Sequence, residues 1–295
     1  MKSKVLLLLS MLTISWLSAD QPTEIHEPSI SYEQLIAILS KYSNHPKGWS
    51  PLNYAIEEGD YASAVLLVEY TADLNKIDSQ KNALARLFEK TRQPSSNLRI
   101  PLTDLQVKLI RKMIDCGVEI HYKNAPYFSL LSQVCLLGRV DLTIELLDKG
   151  VDVNECFGSP LNSAIQSKNI ELVQILISRD ADVNFSNSLS QAIHLKNNER
   201  IDVLIASGAH LDPKTHGINL ALALHMQDVE IVNLLLVHGA NPNATDHQGQ
   251  YPSKSILGVA VEIYNRPADK YEKYDLRRKN LSAIIELLIQ YGAKI

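Results

Sequence analysis

Apolar pairs recur along the chain at Leu67/Val68, Met113/Ile114, Leu146/Leu147, Leu176/Ile177, Leu204/Ile205, Leu235/Leu236 and Leu288/Ile289. Each stands three and four residues before a position where a helix is predicted to end, at 71, 117, 150, 180, 208, 239 and 292. In most cases a further apolar residue lies seven positions before the end, as Ile110, Val173, Ile201, Val232 and Ile285. That spacing draws one stripe along a helix, made to face a neighbour. Glycine fills the end position at 117, 150, 208, 239 and 292, where a left-handed residue closes a helix without a Cβ clash. Thr71 and Asp180 stand there in the other two cases. Aspartate tolerates the left-handed backbone moderately well and a β-branched threonine badly, so strain or a different turn is expected at Thr71.

A second pattern runs in phase with the first. "SPLNYA" at 50–55 returns as "SPLNSA" at 159–164, and the residues after each agree in offset down to "TADLN" (71–75) and "DADVN" (180–184). The tail returns as "CGVEIH", "KGVDVN", "SGAHLD", "HGANPN" and "YGAKI". Serine before proline predicts a helix start in both phrases, since the hydroxyl caps free N–H groups and proline at the first position has none to waste. Seven helix pairs follow from the count of ends, with a period close to thirty residues. A pair cannot hide its apolar stripe alone, so the period implies a stacked array rather than one globular core.

The residues so aligned resemble the ankyrin repeat family: Ser/Thr-Pro-Leu, a helix, a glycine, a second helix with a leucine pair, then a Gly-Ala-Asp-Val-Asn-like tail, over about residues 48–295. The resemblance implies an all-α fold, an ankyrin-repeat solenoid of stacked antiparallel helix pairs with hairpin-like fingers at one edge. It also implies protein binding without catalysis. Asn53 and Asn162 replace the family's histidine and are expected to bond nearby backbone. Two insertions separate the helices of a pair, at about 91–106 and 265–279, the first reading as a loop and the second as a lengthened second helix after a Pro break. "DHQGQYP" (246–252) reads as a full finger with Gly249 in the tight position. The links before the fourth and fifth pairs, "VDVNECFGS" and "ADVNFSN", are clipped. Residues 31–47 read as a capping helix and loop, and 20–30 as a flexible lead.

The remaining N-terminus changes the expected location. Lys2 and Lys4 precede an apolar run from Val5 to Leu17, and a small residue stands at Ala19. That is the layout of a secretory signal peptide over residues 1–19 rather than a span, so a periplasmic or secreted protein without a stable membrane anchor is expected. Without the leader the chain holds 27 basic and 33 acidic residues. A mildly acidic chain with no basic stripe is a poor partner for nucleic acid. Cys116, Cys135 and Cys156 allow at most one bridge, so packing must hold the fold. Cys135 reads as a core residue, and a Cys116–Cys156 bridge stays open as a possibility.

Chemistry is nearly absent from the sequence. It carries no phosphate loop, nucleophile elbow, Cys-x-x-Cys pair or His-Glu-x-x-His run, and no cofactor is expected. His194 and His225 fall at equivalent places in the fifth and sixth pairs, too far apart for one zinc ion if neighbouring helices lie roughly 8–10 Å from each other. Two triplets, Asn243-Ala244-Thr245 and Asn280-Leu281-Ser282, fit the glycosylation acceptor pattern. By the family resemblance, the two residues before the inter-helix turn and the one before Ser/Thr-Pro line an open groove. Those places hold Trp49, Phe128, Leu136, Leu137, His194, Leu195, His225 and Met226. Apolar residues there point to a protein partner bound by a monomer, because an apolar patch is costly to leave wet. Two alternatives belong to this groove: the 91–106 insertion folding over Leu136 and Leu137, and Trp49 packing on the capping helix near Leu35 and Ile38. Two further function classes are an enzyme using His121, Asp141 or His225, and a structural spacer in the cell envelope.

Overall fold

Helix starts in this chain are written into single polar side chains. Ser31 accepts from Gln34 N–H while the Gln34 side chain accepts from Ser31 N–H, opening α1 (Tyr32–Tyr42). Ser50, with proline behind it, opens α2 (Pro51–Glu57), Asp60 opens α3 (Tyr61–Val68) and Asn82 opens α4 (Ala83–Lys90). Thr103 and Gln106 repeat the reciprocal cap at α5 (Asp104–Asp115). Each cap satisfies N–H groups that the first turn leaves without a partner.

This computed structural model describes residues 31–43, 48–70, 74–75, 77, 82–92, 99–120, 129–211, 218–246, 254–266 and 274–294. The leader 1–19, the lead 20–30, Thr71, His121, Phe128 and Gly249 lie outside them. The chain divides into two bodies, Met1–Leu130 and Leu131–Ile295.

In the first body α2 packs against α1, α3 and α4, while α3 packs against α5. First helices therefore meet first helices and second helices meet second. Leu52, Ile56, Leu67, Leu84, Leu87, Phe88, Ile110 and Met113 close the core between them, all but shut off from solvent. The capping helix docks through Leu35, Leu39 and Tyr42, whose ring meets Tyr54 edge-on at 5.3 Å. Helix α4 ends at Lys90, Arg92 and Arg99 pair as an isolated antiparallel bridge, and α5 begins at Asp104.

The second body continues with α6 (Leu130–Leu136), α7 (Val140–Asp148), α8 (Glu155–Ser167), α9 (Ile170–Ser178), α10 (Ser188–His194), α11 (Asn198–Ala206), α12 (Ile218–His225) and α13 (Val229–Val237). It ends with α14 (Ile256–Asn265) and α15 (Tyr274–Gln290). Helices α8, α10, α12 and α14 pack in sequence, each on the next, as do α7, α9 and α11, and α13 with α15. This is the stacked arrangement of antiparallel helix pairs. Thr245↔Ser255 and Asp246↔Lys254 form a two-residue antiparallel ladder, β1 and β2. Helix α15 has 17 residues against nine in α13.

The clipped links fold in a way the phrase pattern did not suggest. Ser159 does not start the fourth pair: α8 begins at Glu155, and Pro160 lies inside it. With no residues left for a finger, the chain after Asn154 turns directly into helix. Proline in a helix interior collides with the carbonyl four residues before it. That residue, Cys156, has φ of 49°, outside helical backbone. Before the fifth pair, Phe185–Asn187 form a 3-10 turn that runs straight into α10.

Candidate protein-binding face

The inter-helix turns set the register of the candidate groove. Gly138, Lys168, Lys196 and Gln227 occupy equivalent turn positions, with φ of 73°, 65°, 52° and 54°. Three of the four are not glycine, so the left-handed turn carries no mark in the sequence there. Cross-links hold neighbouring turns side by side. Asn169 Nδ2 donates to Gly138 O at 3.4 Å, Lys196 Nζ pairs with Asp228 at 3.3 Å, and Asn280 Nδ2 donates to Gln227 O at 3.2 Å.

Residues one and two before each turn are thereby repeated along the second body. Leu136 and Leu137 are half-buried, Gln166 is exposed, His194 and His225 are exposed, and Met226 is half-buried. Leu195 keeps 41% of its surface in solvent. Leu195 and Met226 follow α10 and α12, two helices in direct contact.

Trp49 belongs to the first body and is held differently. The Arg86 guanidinium of α4 lies 3.6 Å from its ring centroid, and Arg86 and Lys90 both pair with Glu57, at 3.4 and 3.0 Å. Burial would raise the Glu57 pKa, but hydrogen bonds and charge from Lys90 and Arg86 outweigh it and lower it below the usual value. One face of the indole is therefore covered by a cation from the next helix pair.

At the opposite end of the pairs an asparagine ladder appears. Asn154 donates to Asp180 O at 3.0 Å and accepts from Asp182 N at 2.8 Å. Asn184 repeats this with Gly208 O and His210 N, at 3.1 and 2.7 Å. Asn243 does so with Gly292 O and Lys294 N, at 3.1 and 2.8 Å, and in the first body Asn75 accepts from Glu119 N at 2.7 Å. The final Asn of the repeated tail thus bridges one pair to the next, a role its recurrence could have signalled. Asn162 Oδ1 accepts from Ser188 Oγ at 3.0 Å.

Candidate reactive groups are engaged structurally. Arg139 Nε and Nη2 donate to the two oxygens of Asp141, at 2.9 and 2.7 Å. All three cysteines are free thiols. Cys135 is buried against Thr143, and desolvation pushes its thiol up to about 12. Among the described residues no three His, Cys, Asp or Glu side chains gather as a metal site, and no helix is long and apolar enough to cross a membrane.

With this geometry in hand the chain can be set beside known proteins. Residues 104–187 match the family model described as "Ankyrin repeats (3 copies)", and residues 220–247 the model described as "Ankyrin repeat". The human ASB11 ankyrin repeat domain is a structural neighbour at a TM-score of 0.57 and 18% identity, covering 84% of this chain and 100% of that one. No curated protein matches the chain.

Proposed function

We propose that this chain, matched by ankyrin repeat models over residues 104–187 and 220–247, is an exported protein that binds another protein through the turn-side face of its second body, without catalysis. One observation carries the reading: Leu136, Leu137, Leu195 and Met226 stand one or two residues before the turns at Gly138, Lys196 and Gln227 and remain partly or largely exposed. Burying one such side chain fully is worth about 1.5–3 kcal/mol, so three or four suffice to anchor a complex. The N-terminal leader supports delivery to a periplasm or outside the cell, where the face meets its partner.

The test replaces Leu137 and Met226 together by Asp in the tagged full chain. Both sites are solvent-accessible, so circular dichroism and the melting temperature should stay near wild type. Co-purifying protein should fall at least tenfold, since about 1.4 kcal/mol is already a factor of ten. Retention of the same partner on an intact fold would sink the reading.

A further inference from the structure

Arg200 is an anomaly among its structural equivalents. It is the third residue after the Asn197 cap of α11. The same place in neighbouring pairs holds Leu142, Leu172 and Ile231, all fully buried. Arg200 is buried to the same degree, with 3% of its surface exposed, yet it carries a permanent charge. Among the described residues its Nε finds no hydrogen-bond partner. Arg200 stands in the first turn of α11, the positive end of a nine-residue helix.

Three carboxylates on its own and the next helix pair are committed elsewhere. Asp202 pairs with His238 at 2.9 Å, Asp228 with Lys196 at 3.3 Å, and Glu230 accepts from Asn198 at 3.3 Å. Exposed Glu199 attracts Arg200 through space without a contact, and desolvation lowers the guanidinium pKa from its ordinary value. Arg86 is equally buried and its Nε is likewise unbonded, but its guanidinium meets both Glu57 and the Trp49 ring. A buried cation without a counter-charge costs stability that leucine or isoleucine at the same place does not. Such a cost is kept where a ligand relieves it.

We infer that Arg200 receives a carboxylate side chain that the protein partner brings to the fifth helix pair, an inference that rests on the binding role proposed above. That pair also carries Leu195, the most exposed leucine of the face, so an aspartate or glutamate beside an apolar residue matches both groups. A carboxylate can take two parallel N–H bonds from guanidinium, and it meets the helix end with the favoured sign.

The experiment uses the isolated full chain and thermal melting at constant ionic strength. The probe is acetyl-aspartate amide, with acetyl-asparagine amide as the neutral control and inorganic phosphate as a second anion. Wild type should gain about 3 °C at tenfold the probe's Kd, with saturation, and nothing from the control. Arg200→Met, which restores the apolar side chain of the other pairs, should lose that gain. Equal responses in wild type and variant, or none in either, overturn the inference. A larger saturable gain from phosphate also overturns it, in favour of a phosphoryl ligand. If Arg200→Met fails to fold, Arg200→Leu is read in its place, and failure of both overturns it by making the arginine structural. Loss of partner in the Leu137/Met226 variant, alongside a failed probe response, would leave the binding face standing without an anion site.

Discussion

Asn184 joins two neighbours at once, giving its N–H to Gly208 O and taking one from His210 N. Truncation to alanine leaves one backbone donor and one acceptor in search of water. Asn184→Ala should cost roughly 1–2 kcal/mol by urea denaturation, near the net worth of two exposed hydrogen bonds. An unchanged midpoint would assign the contact between pairs to packing alone. At this scale the sequence was legible where a residue type is forced by backbone. Asp180 adopts φ of 66°, as its place among the end glycines implied. Lys168, Lys196 and Gln227 take left-handed backbone too, and nothing in a lysine or glutamine announces it. The Arg86–Trp49 stack was equally hidden, because it depends on which side chain from the next pair lies opposite.

The capping helix shows what one element contributes. Tyr42 donates to Asp60 at 2.6 Å and Lys41 pairs with the same oxygen at 2.9 Å, tying α1 to the cap of α3. Burial would raise the Asp60 pKa, but hydrogen bonds from Tyr42, Lys41 and Ser63 outweigh it and hold it well below the carboxylate range. A lowered folded-state pKa means that this contribution is full above the unfolded value, about 3.9, and fades as pH falls through the folded one. Tyr42→Phe should move the loss of α1 to higher pH, read as earlier amide exchange in residues 32–42 on acidification. Coincident profiles for wild type and variant would remove Asp60 from the docking of α1. Element boundaries were clear in the sequence where a cap and a stripe agreed, as at Ser50 and the helix after it. They were not at Ser159, where the same phrase sits in a link too short for a finger and the local capping preference gave way to chain length.

The second body has no single interior, since each of its pairs is buried by the next. Leu204, fully buried on α11, meets that condition at the centre of the second body. Leu204→Ala should cost about 2–5 kcal/mol, the range for a buried leucine truncation. In an array coupled through nearest neighbours, lost amide protection should be greatest in α11 and diminish through α9 and α13. A uniform loss across the second body would show one cooperative block instead. The array itself was plain from the period of the apolar pairs. The candidate face was readable only as a register of positions, because exposure depends on how far each turn stands from its neighbours.

Asn243 and Asn280 each spend their side-chain nitrogen on a carbonyl of another helix pair, Gly292 and Gln227 respectively. Those nitrogens are also where a sugar would be joined in either acceptor triplet. Closure of the last pair and attachment of a glycan therefore compete for the same atom, and the order of the two events decides which occurs. A chain that completes its stack first has withdrawn both acceptors, while one sugared during synthesis must seat its final helices around a bulky, branched substituent.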